Sequence, residues 1–341
     1  MSTDPKVRRC VILLLGEIRT CILHNSDALD QLSVAEILDL MPGERVRLAQ
    51  RPVAHATSPD LYFGVDCPLP TASRSRCGGV GTVAARAVVT GGRLLQGCAH
   101  VEVRRGAGDH RLAWSHYLAS PGVVETVGGF TEPDVAAGFL AEHGRGEAID
   151  LGAVTERLIN DIQFGPRLDH ASPMRAPRTR LRWAAIIGPG ENGSGPSVPT
   201  GSFTIVDDIV RSLDMSTTVH LNSPEAVAKL LTDLRGFAEN LALHDWALTT
   251  LTNQVERSRL GAAGLDAILA LRPAIDHLLH LWMPGAHVDP SMSTLWDSLE
   301  RRPGFTRQWS AIVDRIRDQL ALHALRTRPT FDLVEQAARD T

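Results

Sequence analysis

Lysine is almost absent from this chain of 341 residues. Of its 35 basic side chains only Lys6 and Lys229 are lysine, and the others are arginine. The formal charge is −4 at pH 7, so no net positive field draws the whole protein towards nucleic acid or an anionic membrane. Neither lysine follows a glycine loop of the form G-x-x-x-x-G-K-[ST]. These absences exclude a P-loop site and limit anion binding to local groups of arginines.

Cysteine is also scarce, and the five cysteines form no C-x-x-C pair. Their odd number and their confinement to residues 10–98 argue against a disulfide framework or a zinc knuckle. The longest strongly apolar stretch near the amino terminus is Val11–Leu15, far short of the roughly 18 residues that a spanning helix needs. We therefore expect reduced thiols, no membrane association and a cytoplasmic location.

The strongest pattern in the chain is an apolar heptad repeat in its second half. Ser223-Pro224-Glu225 precedes the repeat and suits a first helical turn, because Ser223 accepts free amide hydrogens, Pro224 needs no donor and Glu225 complements the positive helix end. We predict one long helix with a buried seam, in which His244 is a core residue that fixes the helix register. The seam consists of Val227, Leu230, Leu234, Phe237, Leu241, His244, Leu248, Leu251 and Val255.

Length and patterning together predict an α+β protein, with a β-rich mixed amino-terminal half followed by a carboxy-terminal helical bundle. Single cores stop growing at roughly 250–300 residues, so two units are expected. We place the first at residues 1–187 and a Gly/Pro/Ser loop at 188–201. The second, at 202–341, begins with a strand pair that leads into the bundle.

Local signals in the first unit predict a hairpin and two helices. Gly91-Gly92 separates the β-rich runs Val80–Thr90 and Arg93–Arg104, and glycine readily adopts the positive φ of a tight hairpin turn. Apolar periodicity predicts helices at Glu132–Glu142 and Leu151–Ile162.

Five segments carry a resemblance: VILLLGEIRTCILHNS (Val11–Ser26), PGERV (Pro42–Val46), RPVAHATSPD (Arg51–Asp60), GVDCPLPTASRSRCGGVGTV (Gly64–Val83) and LALHDWALTTL (Leu241–Leu251). They resemble an actinobacterial family of hypothetical proteins, over most of the chain. The genes of that family lie beside those for a variant P-loop protein and a methyltransferase. The resemblance implies a role inside a multi-protein system and supplies no catalytic residues.

A glycine motif follows the apolar run Trp183–Ile187, where Gly188–Gly193 matches G-x-G-x-x-G. A dinucleotide site needs a helix directly after such a turn, and Ser194–Pro199 cannot begin one. We interpret the segment as a hairpin loop and predict no cofactor.

Three histidines form the best candidate metal site. His277 and His280 are three residues apart and share a helical face, and His287 follows after a break at Met283-Pro284-Gly285. The set lacks H-E-x-x-H, so solvated or hydrogen-bonded histidines on a helix are the competing interpretation.

Four arginines form the candidate anion or partner site within residues 167–182: Arg175, Arg178, Arg180 and Arg182. The planar guanidinium group suits phosphates and acidic surfaces, and the adjacent Trp183 offers a ring for stacking. The competing interpretation is a solvated loop whose arginines pair with nearby acids.

Two cysteines, Cys67 and Cys77, are candidate nucleophiles, with His100, His110 and His116 in the same half of the chain. Nucleophilic reactivity requires a thiolate, and hence a nearby cation or helix amino end. Spacing alone does not show that such a group activates either thiol.

Three functional hypotheses follow, and no enzyme is assigned. The first is a non-enzymatic interaction or scaffold protein with a protein partner, and self-association stays open. The second is a small-molecule enzyme whose site lies in the amino-terminal half. The third is a phosphate or nucleic-acid binder that uses the arginines of residues 167–182.

Overall fold

The structure is a computed structural model, and the strands that it describes form one mixed sheet of ten. The described residues are 11–51, 53–106, 108, 110–143, 146–188, 198–206, 210–216, 224–258, 265–283, 285, 288–301, 304–318 and 320–321.

The strands lie in the order β10-β9-β8-β1-β6-β7-β5-β3-β2, and β4 pairs with β5. Only β6 and β7 pair in parallel among the described strands; the other pairs are antiparallel. The strands are β1 Ile12–Ile22, β2 Arg47–Ala49, β3 His55–Thr57, β4 Leu61–Pro68, β5 Gly78–Thr90, β6 Leu94–Arg105, β7 Val123–Val127, β8 Thr179–Gly188, β9 Val198–Val206 and β10 Val210–Ser216.

Helices cover both faces of this sheet. Asp30 caps α1 by accepting a hydrogen bond from the amide of Ser33, and Asp150 caps α4 in the same way from Ala153. The helices are α1 Gln31–Ile37, α2 Trp114–Leu118, α3 Glu132–Leu140, α4 Leu151–Gln163, α5 Pro224–Arg257, α6 Leu265–Leu278, α7 Ser293–Arg301 and α8, residues 305–318.

The central strand β1 separates two apolar cores. Successive side chains of a strand point to opposite faces, so Leu13 and Leu15 pack with α3 and α4, whereas Leu14 and Ile18 pack with α5 and the helices after it. This two-sided burial explains why the first half of β1, Ile12–Leu15, is continuously apolar instead of alternating.

The predicted long helix is confirmed as α5. Leu234, Leu241 and Leu248 are buried along its seam. His244 is buried as predicted: its Nδ1 lies 2.7 Å from the carbonyl oxygen of Asn240, and its ring packs edge-on against Trp282. The proposed cap, Ser223, lies outside the described residues.

The predicted hairpin is also confirmed. Gly91 and Gly92 have φ values of +59° and +64°, and they join β5 to β6 through the Thr90–Leu94 pair. The two predicted helices of the first unit appear as α3 and α4.

The α+β class is confirmed, because the mixed sheet is mostly amino-terminal and most helical residues lie in the second half. The helical bundle is not confirmed. Instead of packing only on sister helices, α5 also lies against β1, β6 and β8. The predicted loop at 188–201 falls mostly outside the described residues, and β9 and β10 extend the same sheet from β8. Within the described part of the chain, no helix is both long and apolar enough to cross a membrane.

Replacing Gly92 with alanine tests the hairpin turn. A Cβ atom there would lie 2.0 Å from the carbonyl oxygen of Leu29, at a positive φ that already disfavours L side chains. We expect Gly92→Ala to lower the free energy of unfolding by about 2 kcal/mol or more, measured by urea denaturation. Gly129→Ala is the control, because its Cβ would meet nothing within 4 Å. Equal losses in the two variants would contradict this account of the turn.

Candidate functional site

Exposed apolar side chains surround α2 and form what we call the α2 surface. Large apolar side chains scattered singly need no explanation, whereas a contiguous exposed set marks a binding surface. Its members are each at least 45% exposed: Tyr62, Leu112, Trp114 and Leu118. The other large apolar side chains that the structure describes as exposed lie on other elements: Leu32, Leu48, Phe164 and Met283.

A buried tyrosine holds this short helix in place. Tyr117 is 4% exposed, and its hydroxyl accepts a hydrogen bond of 3.0 Å from the amide of Leu112. Its ring meets that of Trp114 edge to face at 5.8 Å. Trp114 in turn lies over β4 at Gly64, where a Cβ atom would be 3.5 Å from the indole. The exposed Trp114 side chain is therefore held in position by its packing against Tyr117 and β4.

Polar pairs frame the apolar centre of the α2 surface. Arg111 and Asp66 form an ion pair of 2.7 Å, and His116 Nε2 lies 2.9 Å from Glu125. An apolar centre with a polar rim is the usual anatomy of a protein interface.

A cavity of about 890 Å³ opens at the carboxyl end of β4, and we call it the β4 pocket. Its walls come from Asp66–Pro68 of β4, the loop 69–76, the start of β5, and Glu142 and His143 after α3. Arg111 lines it as well, so the pocket adjoins the rim of the α2 surface.

The loop in the pocket wall is fixed by hydrogen bonds. Asp134 accepts from the amide of Ser73 at 2.8 Å and from its hydroxyl at 2.6 Å, and Thr71 donates to the carbonyl of Ser75 at 2.9 Å. The bonds from Ser73 lower the pKa of Asp134. Between these anchors Arg74 has φ +58°, and Glu142 across the pocket has φ +56°. Left-handed backbone costs roughly 1–2 kcal/mol at such residues, and strain of this kind often gathers at functional sites.

The ionisable groups of the pocket differ in their partners. Asp66 pairs with Arg111, and Glu142 pairs with Arg180 of β8. Arg74 and Arg76 are exposed, and neither side chain forms an ion pair or hydrogen bond with another described residue. The pocket therefore presents two arginines that form no ion pair with a described residue, and one further acid, Glu147, also lines it.

A buried ion-pair network stands behind this pocket. Glu17 of β1 is fully buried, and its carboxylate contacts Arg182 Nε at 2.7 Å and Arg19 at 3.1 Å. Arg182 also donates to the carbonyl of Phe139 at 2.9 Å and lies 3.6 Å from Glu142. The network thus fixes the end of α3 to the centre of the sheet, and the residues directly after α3 form one wall of the pocket.

The four arginines proposed as an anion or partner site have different surroundings. Arg178 pairs with Glu156, Arg180 with Glu142, and Arg182 with Glu17. Arg175 is exposed in the loop before β8. Anion or partner binding by these residues stays a prediction, although three of the four already have acidic partners within the chain.

Two of the three candidate metal ligands, His277 and His280, lie at or just after the end of α6. His277 is partly buried, and burial together with nearby Arg93 lowers its pKa. His280 is exposed in the turn that follows, and His287 lies outside the described residues. No group of three or more His, Cys, Asp or Glu side chains suited to a metal ion is found among the described residues. The three-histidine site stays a prediction.

The candidate nucleophiles Cys67 and Cys77 both line the β4 pocket as free thiols. Burial raises the pKa of both thiols, and the neighbouring Asp66 raises that of Cys67 further. A raised pKa leaves less thiolate at neutral pH, so neither cysteine is activated as a nucleophile.

The candidate histidines lie on separate elements. His100 is buried on β6, and its pKa is well below the usual value because of burial and the nearby Arg235 and Arg86. His116 lies on α2, and His110 is exposed in the preceding loop. They do not join the cysteines of the β4 pocket in its wall.

A scan against protein-family models and searches of curated proteins and solved structures found no match.

Sequence reasoning missed the α2 surface and Arg74 and Arg76 of the β4 pocket. Trp114 and Leu118 are four residues apart, the helical spacing that puts them on one face, and this signal was available. The pocket left no comparable signal, because its walls come from residues 66–78, Arg111 and the segment after α3.

Replacing Glu17 with glutamine tests the buried network. The change leaves Arg182 largely buried without its closest carboxylate, so we expect a loss of about 3 kcal/mol in the free energy of unfolding, measured in urea. Asp314→Asn is the control, because its ion pair with Arg317 is exposed and is worth less than about 1 kcal/mol. A Glu17→Gln variant as stable as the control would contradict the structural role of the network.

Alkylation with iodoacetamide tests the state of the thiols. Because the pKa values of Cys67 and Cys77 are raised, we expect both to react more slowly at pH 7 than free cysteine, and the rate to rise as the pH exceeds the ordinary thiol range. Peptide mapping by mass spectrometry assigns the rate to each residue. Cys98, fully buried, should react only after unfolding. Faster reaction of Cys67 than free cysteine at pH 7 would reverse this conclusion.

Proposed function

We propose that the protein is a non-enzymatic interaction component of a multi-protein bacterial system, and that it docks a protein partner through the α2 surface. The observation that carries this proposal is the grouping of Tyr62, Leu112, Trp114 and Leu118 in exposed positions around one short helix.

The composition of the α2 surface supports docking to a protein. Tryptophan and tyrosine are enriched among the residues that carry most of the binding energy at interfaces, and Trp114 is already held in place by Tyr117 and Gly64. A supported side chain loses little conformational freedom on binding. The ion pair of Arg111 with Asp66 supplies a polar rim.

The state of the cysteines supports binding over nucleophilic catalysis. Cys67 and Cys77 lie in the β4 pocket, yet burial favours the neutral thiol at both. The phosphate-backbone hypothesis has less support, because acidic partners within the chain take up Arg178, Arg180 and Arg182.

The resemblance to the actinobacterial family directs the choice of partner. Its genes lie beside those for a variant P-loop protein and a methyltransferase, so we propose that one of these two neighbour-encoded proteins docks on the α2 surface in the cytoplasm. A complex between two copies of this chain is the competing outcome.

Co-purification with each neighbour-encoded protein, followed by measurement of affinity on the isolated complex, tests the proposal. We expect Trp114→Ser with Leu118→Ser to weaken the complex by about tenfold or more, because central aromatic and aliphatic side chains are typical interface anchors. The matched control is Leu32→Ser with Phe164→Ser, two side chains that are both 76% exposed on other elements.

The outcomes separate clearly. A loss confined to the α2 variant supports the proposal, whereas equal loss in both double variants contradicts it. Failure of the wild-type chain to bind either neighbour-encoded protein also contradicts it, and a dimer disrupted by the α2 variant would assign the surface to self-association. Urea denaturation of the wild type and the two double variants confirms that the substitutions leave the fold intact.

A further inference from the structure

The ionised side chains that line the β4 pocket among the described residues are three arginines and three acids, and two of the arginines, Arg74 and Arg76, form no ion pair with a described residue. Asp66 and Glu142 are paired with Arg111 and Arg180, which leaves Arg74 and Arg76 facing only Glu147 among the ionised side chains of the described lining. Guanidinium groups bind carboxylates and phosphates through parallel hydrogen bonds. We propose that the β4 pocket binds a small organic anion, a carboxylate or a phosphate ester, through Arg74 and Arg76.

The arginine loop is organised before any ligand arrives. Asp134 binds the amide and hydroxyl of Ser73, Thr71 binds the carbonyl of Ser75, and Arg74 lies between them with a left-handed backbone. A fixed loop lowers the ordering cost of binding. The strain at Arg74 has no role in the apolar core, because the residue is exposed, and presenting its guanidinium to the pocket accounts for it.

A histidine supplies a further polar group in the same wall. The Nδ1 atom of His143 is buried and has no hydrogen-bond partner among the described residues. A buried polar atom of this kind costs stability unless it is satisfied. His143 lines the pocket together with the two arginines.

Size and lining define the ligand further. A volume of about 890 Å³ lies within the range of metabolite pockets, which is roughly 300–1,000 Å³. Leu69, Pro70 and Val127 contribute apolar wall. The ligand is therefore an organic molecule with an apolar part as well as an anionic group, and not a bare inorganic ion.

Isothermal titration calorimetry of the full chain with three probes tests the proposal. Benzoate and phenyl phosphate combine a ring with each anionic group, and benzamide is the uncharged counterpart of benzoate. We expect at least one anion to bind in the millimolar range or tighter and benzamide to bind about tenfold more weakly or not at all. Binding of one anion and not the other identifies the anionic group that the site prefers.

Variants assign the binding to the pocket. We expect Arg74→Gln with Arg76→Gln to weaken anion binding by about tenfold or more. The matched control is Arg47→Gln with Arg51→Gln, two exposed arginines that do not line the pocket, and it should bind as the wild type does. The four substitutions are at exposed positions, and urea denaturation verifies that each variant is folded.

A second measurement uses the wild-type chain alone. Phenylglyoxal modifies accessible arginines, and the anion that binds should protect Arg74 and Arg76 but not Arg47, as read by mass spectrometry. The proposal is overturned if neither anion binds, if the two double variants bind equally, or if protection is the same at all three arginines.

This inference does not depend on partner docking. The Arg74→Gln with Arg76→Gln variant keeps the α2 surface, so it should retain any complex with a neighbour-encoded protein. Loss of anion binding and loss of the complex are therefore separate results.

Discussion

The buried carboxylate of Glu17 is the constraint on which the amino-terminal half depends. A fully buried charge is tolerated only when it is paired and hydrogen-bonded, and Arg19 and Arg182 supply those contacts from β1 itself and from β8. Arg182 then reaches the last turn of α3, where it bonds to Phe139 and lies over the ring of that residue at 5.0 Å. The requirement to neutralise one strand residue thus sets the position of a helix end, and with it one wall of the β4 pocket.

The opposite face of β1 meets a different requirement, because Leu14 and Ile18 need apolar cover. The seam of α5 provides it. A long heptad seam ordinarily implies a coiled coil. The apolar face of α5 instead packs against strands of the sheet as well as against α6. The same strand therefore carries an apolar core on both faces, and on one of them that core adjoins the buried ion pairs of Glu17.

Features whose signal lies within a short stretch of sequence could be predicted, whereas features that depend on contacts between distant residues could not. The helix α5 and the hairpin at Gly91-Gly92 could be predicted because their patterns lie within a few consecutive turns or residues. The partners of the arginines could not, because Glu17 and Arg182 are 165 positions apart and only strand order brings them together. The β4 pocket was missed for the same reason. The exposure of Trp114 depends on what covers it in three dimensions, which no spacing in the sequence records.

The two candidate sites share a physical element, the ion pair between Asp66 and Arg111. Asp66 is in β4, and Arg111 adjoins both the rim of the α2 surface and the wall of the β4 pocket. An anion at Arg74 and Arg76 would also attract Arg111, while a partner on the α2 surface would desolvate the same pair and strengthen its internal attraction. Anion binding would therefore draw the Arg111 guanidinium group towards the anion, whereas partner docking would hold it against Asp66. Because linkage is reciprocal, any effect of the anion on partner affinity must equal the effect of the partner on anion affinity, and this arrangement favours mutual weakening.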